Sequence, residues 1–447
     1  MSHDLPIIAA PPTSTPVAKN PGAGIDYGLF LDCVHCGLCT ASCPTYVETG
    51  NENDGPRGRI YLMRSVTDGR LPLNDHVRGH LELCLDCRAC ETACPSGVQY
   101  GKLIEPFRVA MEEMNEGPAK NQDWFHRYIL FGLFPYPDRL RLALAPAKLA
   151  QKLGLLSLAE RLGLLNLLPQ RLRQLVYTLP TKFSKEPALP EFLPAIGRRR
   201  ARVALFTGCV ADVMFRQTHW ATARVLQQNG CDVVIPRAQQ CCGAIHLHAG
   251  SSEPARAFAD ANVAAFDDVD RVIVNVAGCG AMLKDYGHHW HDAGSKQREA
   301  LAAKTRDINE FLDELDRDYG LVPPEGEMNF TATYHDACHL GHAQKIREAP
   351  RKLLAKIPGL KMVDLPETEL CCGAAGTYNL TQPEMSARLS RRKMENILRT
   401  GARAVLTANA GCLLQIAREA RIERHQLWIA HPIDLLDLSY RKQKPPV

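Results

Sequence analysis

Eight cysteines dictate how the first hundred residues must fold. Cys33-Val-His-Cys36-Gly-Leu-Cys39-Thr-Ala-Ser-Cys43-Pro44 and Cys84-Leu-Asp-Cys87-Arg-Ala-Cys90-Glu-Thr-Ala-Cys94-Pro95 share one spacing, C-x2-C-x2-C-x3-C-P. A cubane [4Fe-4S] cluster needs four converging soft thiolates, and three cysteines two residues apart wrap one cluster from a single tight loop. The fourth cysteine of each run lies too far along the chain and reaches the neighbouring cluster, usually from the first turn of a helix. The spacing therefore assigns Cys33, Cys36, Cys39 and Cys94 to one cluster, and Cys84, Cys87, Cys90 and Cys43 to the other. Pro44 and Pro95 restrict the crossing cysteines, and Gly37 lets backbone N–H groups come close. Zinc sites use C-x2-C pairs but not this doubled run, and disulfide frameworks belong to short secreted chains. The thiolate set is complete without His35, which reads as a solvated or hydrogen-bonded side chain.

The two runs are 40 residues apart. Between them Gly55-Pro56 reads as a turn and the residues after it as a helix start. Arg57 and Arg59 can neutralise cluster charge, meet a partner subunit, or form a plain solvated basic turn; the sequence leaves these open.

At 447 residues the chain has room for about three domains. Apolar residues make up 45% and the net charge is +4, too mild a balance to imply nucleic acid, and no glycine-rich phosphate loop or basic repeat points there. Of the 17 cysteines only Cys231 falls outside a pattern, so metal rather than disulfides explains the excess. Residues 1–24 read as a disordered leader. No run of 18 to 20 apolar residues is present to span a membrane.

Residues 121–195 differ from their flanks. Trp124, Phe125, Tyr128, Phe131, Phe134 and Tyr136 open the stretch, and leucine-rich helices follow over 153–160 and 162–168. Arg139, Arg141, Lys148, Lys152, Arg161, Arg171 and Arg173 interleave with them. Such helices can lie on an anionic membrane surface, dock a partner, or pack on the chain's own core. The prolines from Pro180 to Pro194 read as a linker.

From 201 onward the chain repeats itself. One copy runs from the strand Val203–Thr207 through Cys209, Cys241-Cys242-Gly243 and the strand Val272–Val276 to Cys279. The other runs from Ala332–Tyr334 through Cys338, Cys371-Cys372-Gly373 and the strand Ala404–Ala408 to Cys412. The intervals are 32 and 33 residues, then 37 and 40, which signals duplication of one unit. A helix over Trp220–Asn229 and a matching one over Met385–Thr400 complete the α/β pattern. The cysteines fall just after strands, where open α/β sheets place ligands. They can hold a further iron–sulfur cluster or zinc, or form redox-active thiols. His246, His248, His335, His339 and His342 stand near them as relay or ligand candidates. Cys231 starts a strand and reads as a buried small hydrophobe.

Over almost its whole length the chain resembles the iron–sulfur subunit of glycolate dehydrogenase, also called glycolate oxidase. The resemblance rests on both cysteine runs, on Asp54-Gly-Pro-Arg-Gly-Arg-Ile-Tyr-Leu62, on His342-Ala-Gln-Lys345 and on Cys371-Cys-Gly-Ala-Ala-Gly-Thr-Tyr378. The duplicated part resembles the cysteine-rich domain of heterodisulfide reductases, which holds a noncubane cluster with five cysteines and ends C-x2-C. Here Met282 and Gln415 stand where the fifth cysteine would be, so cluster binding by the eight repeat cysteines is left unassigned.

The resemblance implies a mixed α+β and α/β multidomain chain. It comprises a leader (1–24), a helical two-[4Fe-4S] ferredoxin-type domain (25–120), a helical segment and linker (121–200), and two cysteine-rich copies (201–325 and 326–447). It implies an electron-transfer subunit with no catalytic residue of its own, beside FAD-containing subunits that oxidise glycolate to glyoxylate. Electrons would leave for the membrane quinone pool, with the chain peripheral on the cytoplasmic face of the inner membrane. Relays for lactate, glycerol 3-phosphate or 2-hydroxyglutarate, or a heterodisulfide-reductase-like enzyme, are the alternatives.

Overall fold

The computed structural model describes residues 20–114, 124–180 and 183–446. Most of the expected leader, and the expected boundary at 120/121, lie outside the described residues.

The N-terminal part is helical. Helices Pro56–Thr67, Asp75–Glu82 and Gly101–Glu113 enclose Phe30, Ile60, Met63, Leu81, Leu103 and Phe107. Proline starts the first of these, and the Asn74 side chain caps the second by accepting the Val77 N–H at 3.0 Å. Cys43 sits extended at the start of helix Pro44–Thr49, with Pro44 in its first turn. Cys94 differs: it follows the short helix Ala89–Thr92 and lies outside any helix.

The middle segment is a chain of short helices, Pro137–Lys152, Leu155–Arg161 and Gln170–Thr178, with a single 3-10 turn at Leu164–Leu167. Gly154 and Gly163, at φ 74° and 70°, stand at the starts of the two leucine segments: the first is helical from Leu155, and the second is a 3-10 turn rather than the helix expected over 162–168. The proline-rich stretch is not a free linker. Phe192–Leu193 forms strand β1, Leu189 is buried, and the Pro187 carbonyl accepts from Trp220 Nε1 at 2.9 Å.

Each repeat copy is a parallel sheet. The first holds β2 (Ala201–Phe206), β3 (Cys231–Val234), β4 (Arg271–Val274) and β5 (Thr305–Asp307), in the order β1-β3-β2-β4-β5 with β1 antiparallel at the edge. The second holds β6 (Thr331–Tyr334), β7 (Lys361–Val363), β8 (Ala404–Leu406) and β9 (Trp428–Ala430), in the order β7-β6-β8-β9. Both copies therefore run second, first, third, fourth from edge to edge, which places a topological switch point between the first and third strands. The helix after the first strand is Arg216–Gln228 in one copy and Glu348–Ala355 in the other. Helix Pro383–Arg399 precedes the third strand and so corresponds to Ser252–Ala265, not to the helix that the sequence pattern paired with it.

The copies share a core in which Val203, Leu205 and Ile273 meet Ala332, Leu353, Leu406 and Leu436. Arg224 fastens them by a two-pronged contact to Asp437 at 2.9 and 2.7 Å. Cys231 is buried in this core, and burial pushes its thiol up to about 12, as a small hydrophobe requires.

Candidate metal centre

The two cysteine runs fold alike. His35 and Gly37, and at the equivalent positions Asp86 and Arg88, take left-handed backbone at φ 54°, 86°, 52° and 59°. Alternation of this kind turns successive N–H groups to one side, the arrangement that favours anionic groups; the Asp86 N–H reaches Cys84 Sγ at 3.4 Å. Arginine is poorly suited to this conformation. Arg88 is held there by Asp86 at 3.1 Å, Glu91 at 3.3 Å and Glu105.

Cys33, Cys36, Cys39 and Cys94 line one small cavity, closed by Pro56, Ile60 and Tyr100. Cys43, Cys84, Cys87 and Cys90 line a second, with Arg59 and Tyr100. Cys90 borders the first cavity as well. The fourth cysteine of each run thus lies beside the three of the other. The thiols feel each other accordingly. Burial, then Cys338 and Cys43, push Cys87 well above the usual thiol range, and burial, then Cys87, Cys84 and Cys43, do the same at Cys90. Burial raises Cys33 against the backbone N–H of His35, with Cys94 and then Cys36 adding to the rise.

The two cavities differ in exposure. Val34 and Leu38 of the first loop are 67% and 62% exposed, and Leu31, His35, Cys36 and Tyr61 stand in solvent around them. The second loop is enclosed, with Cys84 and Leu85 buried. Arg57 spans the outer loop, donating to the His35 carbonyl at 2.9 Å and pairing with Glu52. A Cβ at Gly37 would lie 2.5 Å from Arg57 Nη1, so glycine is what admits this clamp. Arg59 is not a solvated basic residue. It is 1% exposed and donates to the His80 carbonyl at 2.8 Å and Thr45 Oγ1 at 3.0 Å, with Nη1 3.9 Å from Cys43 Sγ. Burial works against its charge, but Cys84, Tyr100, Cys43 and Asp54 outweigh that and hold its pKa above the ordinary value. All seventeen cysteines are free thiols. Two groups of four thiols, inward N–H groups and a buried guanidinium form a donor set that fits anionic thiolate-bound iron.

The repeat cysteines also gather, at the switch point of each sheet. In the first copy Cys209 Sγ lies 3.3 Å from Cys241 Sγ, and Cys242 Sγ 3.4 Å from Cys279 Sγ. Gly243 and Gly373, at φ 87° and 84°, follow the paired cysteines, and a Cβ at Gly373 would meet the Ser386 carbonyl at 2.8 Å. In the second copy His335, Cys372 and Cys412 present donor atoms within 4.8 Å of one another. Burial pushes His335 down to about 3 and Lys393 beside these thiols down to about 8. Phe206 occupies the position of His335 in the first copy, so the copies are chemically distinct. His342 is elsewhere, hydrogen-bonded to Thr92 Oγ1 at 2.9 Å, and His246 stacks on Phe131 at 4.5 Å.

The inner cavity abuts the second copy: Leu85 packs with Cys338, Cys371 and Tyr378, and Cys87 lies against them. Tyr378 donates to the Leu83 carbonyl at 2.8 Å. Beside this contact a cavity of about 200 Å³ is lined by Cys84, Leu85, Asp86, Met111, His248, His339 and Tyr378, among others. Burial works against the charge of Asp86, but Arg88 and then His248, 3.5 Å away, hold it well below the usual carboxylate range. Burial raises Glu105, which shares Arg88 with Asp86. Sequence reasoning did not single out Asp86, Glu105 or Lys393. The one local signal is that Asp86 and Arg88 occupy the left-handed positions of the second run.

Family descriptions match in the same places: "4Fe-4S dicluster domain" over residues 30–98, "Glycolate oxidase iron-sulfur subunit, linker region" over 121–176, and "Cysteine-rich domain" over 203–284 and 332–417. The chain is 40% identical to the "Probable glycolate oxidase iron-sulfur subunit" of Bacillus subtilis (strain 168), covering 90% of this chain and 91% of that one. It is 33% identical to the "Glycolate oxidase iron-sulfur subunit" of Escherichia coli (strain K12), covering 92% and 94%. A "Lactate utilization protein A" of Exiguobacterium sp. is 34% identical over 53% of this chain and 96% of its own length. With two thiol-lined cavities, one of them packed against a duplicated cysteine domain, and relatives alike from end to end, the chain belongs to the glycolate oxidase iron–sulfur subunit family.

Proposed function

We propose that this chain is the electron-transfer subunit of a glycolate-oxidising complex. In it a FAD-containing partner oxidises glycolate to glyoxylate, and the electrons go to respiratory quinone at the cytoplasmic face of the inner membrane. Cys33, Cys36, Cys39 and Cys94 hold one [4Fe-4S] cluster, and Cys43, Cys84, Cys87 and Cys90 the other. When bound, the clusters supply one-electron steps between a two-electron donor and a two-electron acceptor. The units that do this are residues 25–120 and the copies 201–325 and 326–447.

The observation that carries this reading is the graded burial of the two thiol sets. Val34 and Leu38 present the outer set to a partner, while the inner set is walled off and faces Cys338 and Cys371. The chain's residues tune the inner set. Arg59 places a cation beside Cys43, and the Tyr100 hydroxyl reaches Cys84 Sγ at 3.6 Å. Hydrogen bonds and positive charge at sulfur favour the reduced state. For the acceptor, the 200 Å³ cavity offers apolar Leu85 and Met111 together with His248 and His339, next to Cys84. A lactate relay is the second reading. It rests on the likeness to the Exiguobacterium protein, which extends over only 53% of the chain.

Iron and acid-labile sulfide analysis of the anaerobically purified chain tests the cluster reading, with about eight irons expected. About four irons, or zinc in their place, would sink it. About twelve or sixteen would mean that the repeat cysteines hold clusters too. Copurification from native membranes, with identification of the flavoprotein, separates glycolate from lactate.

A further inference from the structure

The positive charge of this chain is concentrated in one place. Residues 139–180 contain seven of its 53 basic residues and one of its 49 acidic residues, which leaves 46 against 48 elsewhere. The same segment carries an uncovered apolar face. Eight leucines between Leu142 and Leu167 have half or more of their surface in water, Leu142 at 78% and Leu167 at 81%. Gly154 and Gly163 interrupt the helices here, so the leucines project from several short turns rather than from one stripe. Beside this face lies an open groove of about 760 Å³, lined by Arg161, Arg173, Arg418, Arg421 and Arg424. Its one acidic lining residue, Glu160, is engaged by Arg421 at 2.7 Å, and Arg418 pairs with Glu419 at 3.2 Å, which leaves Arg161, Arg173 and Arg424 for a ligand.

The geometry points to this face as the surface by which the protein rests on an anionic phospholipid bilayer. The leucines enter the acyl boundary, and the arginine groove takes lipid phosphate. This rests on the reading of the chain as a peripheral membrane subunit and adds the site of attachment. Two observations favour a membrane over a protein partner. Charge complementarity is one-sided, as an anionic surface demands. Guanidinium groups around one groove match phosphate oxygens by paired hydrogen bonds. No helix among the described residues is long and apolar enough to cross a membrane, so contact would be in the interface plane.

The test is co-sedimentation of the full-length, cluster-loaded protein with vesicles of phosphatidylethanolamine and phosphatidylglycerol, against vesicles of phosphatidylcholine. Binding to the anionic vesicles is expected, weakened by salt and not competed by free inorganic phosphate. Two double variants probe the two halves: Leu158→Gln with Leu162→Gln, and Arg161→Gln with Arg173→Gln. Each should weaken vesicle binding at least about tenfold while keeping wild-type iron content. Equal binding to both vesicle types, displacement by inorganic phosphate, or full binding by both variants overturns the proposal. So does loss of flavoprotein copurification with vesicle binding intact, which would make the face a protein interface. Glycolate-dependent dye reduction by the assembled complex is measured in parallel. It remains at the wild-type level if only the membrane proposal fails, and is absent in the wild type if the relay reading itself is wrong.

Discussion

Replacing Arg59 by methionine removes a charge at nearly constant volume from a site where the guanidinium is 1% exposed and Nη1 stands 3.9 Å from Cys43 Sγ. At an effective dielectric constant of about 20, a unit charge at that distance is worth about 4 kcal/mol. That is a ceiling, because an added electron spreads over the whole cluster; at twice the distance the figure is about 2 kcal/mol. With 59 mV and about 1.4 kcal/mol both corresponding to tenfold, the inner centre should become harder to reduce by roughly 90 to 180 mV. The outer centre, whose nearest arginine is Arg57, should hardly move. The assay is an EPR-monitored redox titration of the anaerobically purified variant, with iron content as the control for loading. Arg59→Lys keeps the charge and should stay near the wild-type potential. A methionine variant that retains its iron and titrates within about 20 mV of wild type would refute the claim that this cation tunes the inner thiol set.

Cys43→Ser should damage the centre lined by Cys84, Cys87 and Cys90, not the one beside it in sequence; EPR loss confined to the Cys33–Cys39 centre would mean the ligands are not crossed. Gly58→Ala puts a Cβ 2.1 Å from the Glu52 carbonyl and should destabilise by about 1 to 3 kcal/mol. Gly79→Ala, with nothing within 4 Å on an exposed helix face, should instead stabilise by about 0.5 to 1 kcal/mol; equal melting curves for the two would contradict the close approach of Gly58 to the Glu52 carbonyl. Burial pushes the fully enclosed His219 down to about 4, below the value near 6.5 of an unfolded chain. Its contribution is therefore complete above pH 6.5 and lost as pH falls toward 4, by up to about 3 kcal/mol. Denaturant midpoints should drop across that window and drop less steeply in His219→Asn; parallel slopes would contradict a neutral buried imidazole.

The cysteine spacings exposed both thiol sets because each set comes from two short segments with fixed offsets, and metal chemistry constrains those offsets tightly. The duplication was legible for the same reason, since strands ending at cysteines recur at near-constant intervals. The helix pairing between copies was misjudged because helix length and a terminal glycine are local features. Which helix follows which strand is decided by sheet order, β3-β2-β4 and β7-β6-β8. The prolines of 180–194 masked an edge strand, because β1 exists only by pairing Phe192 with Val234. Whether Arg59 neutralises cluster charge, meets a partner or is simply solvated could not be read locally, since its carbonyl partner on His80 lies 21 residues along the chain. The junction of Asp86 with His248 joins residues 162 positions apart, and no local pattern encodes it.

Glycolate-driven reduction of the iron–sulfur EPR signals, followed in the isolated chain and again after addition of its flavoprotein partner, tests the relay assignment most directly. No signal is expected from the chain with glycolate alone, and reduction of both centres once the partner is present. Reduction by glycolate without the partner, or silent centres in a complex that still turns over glycolate, would contradict that assignment.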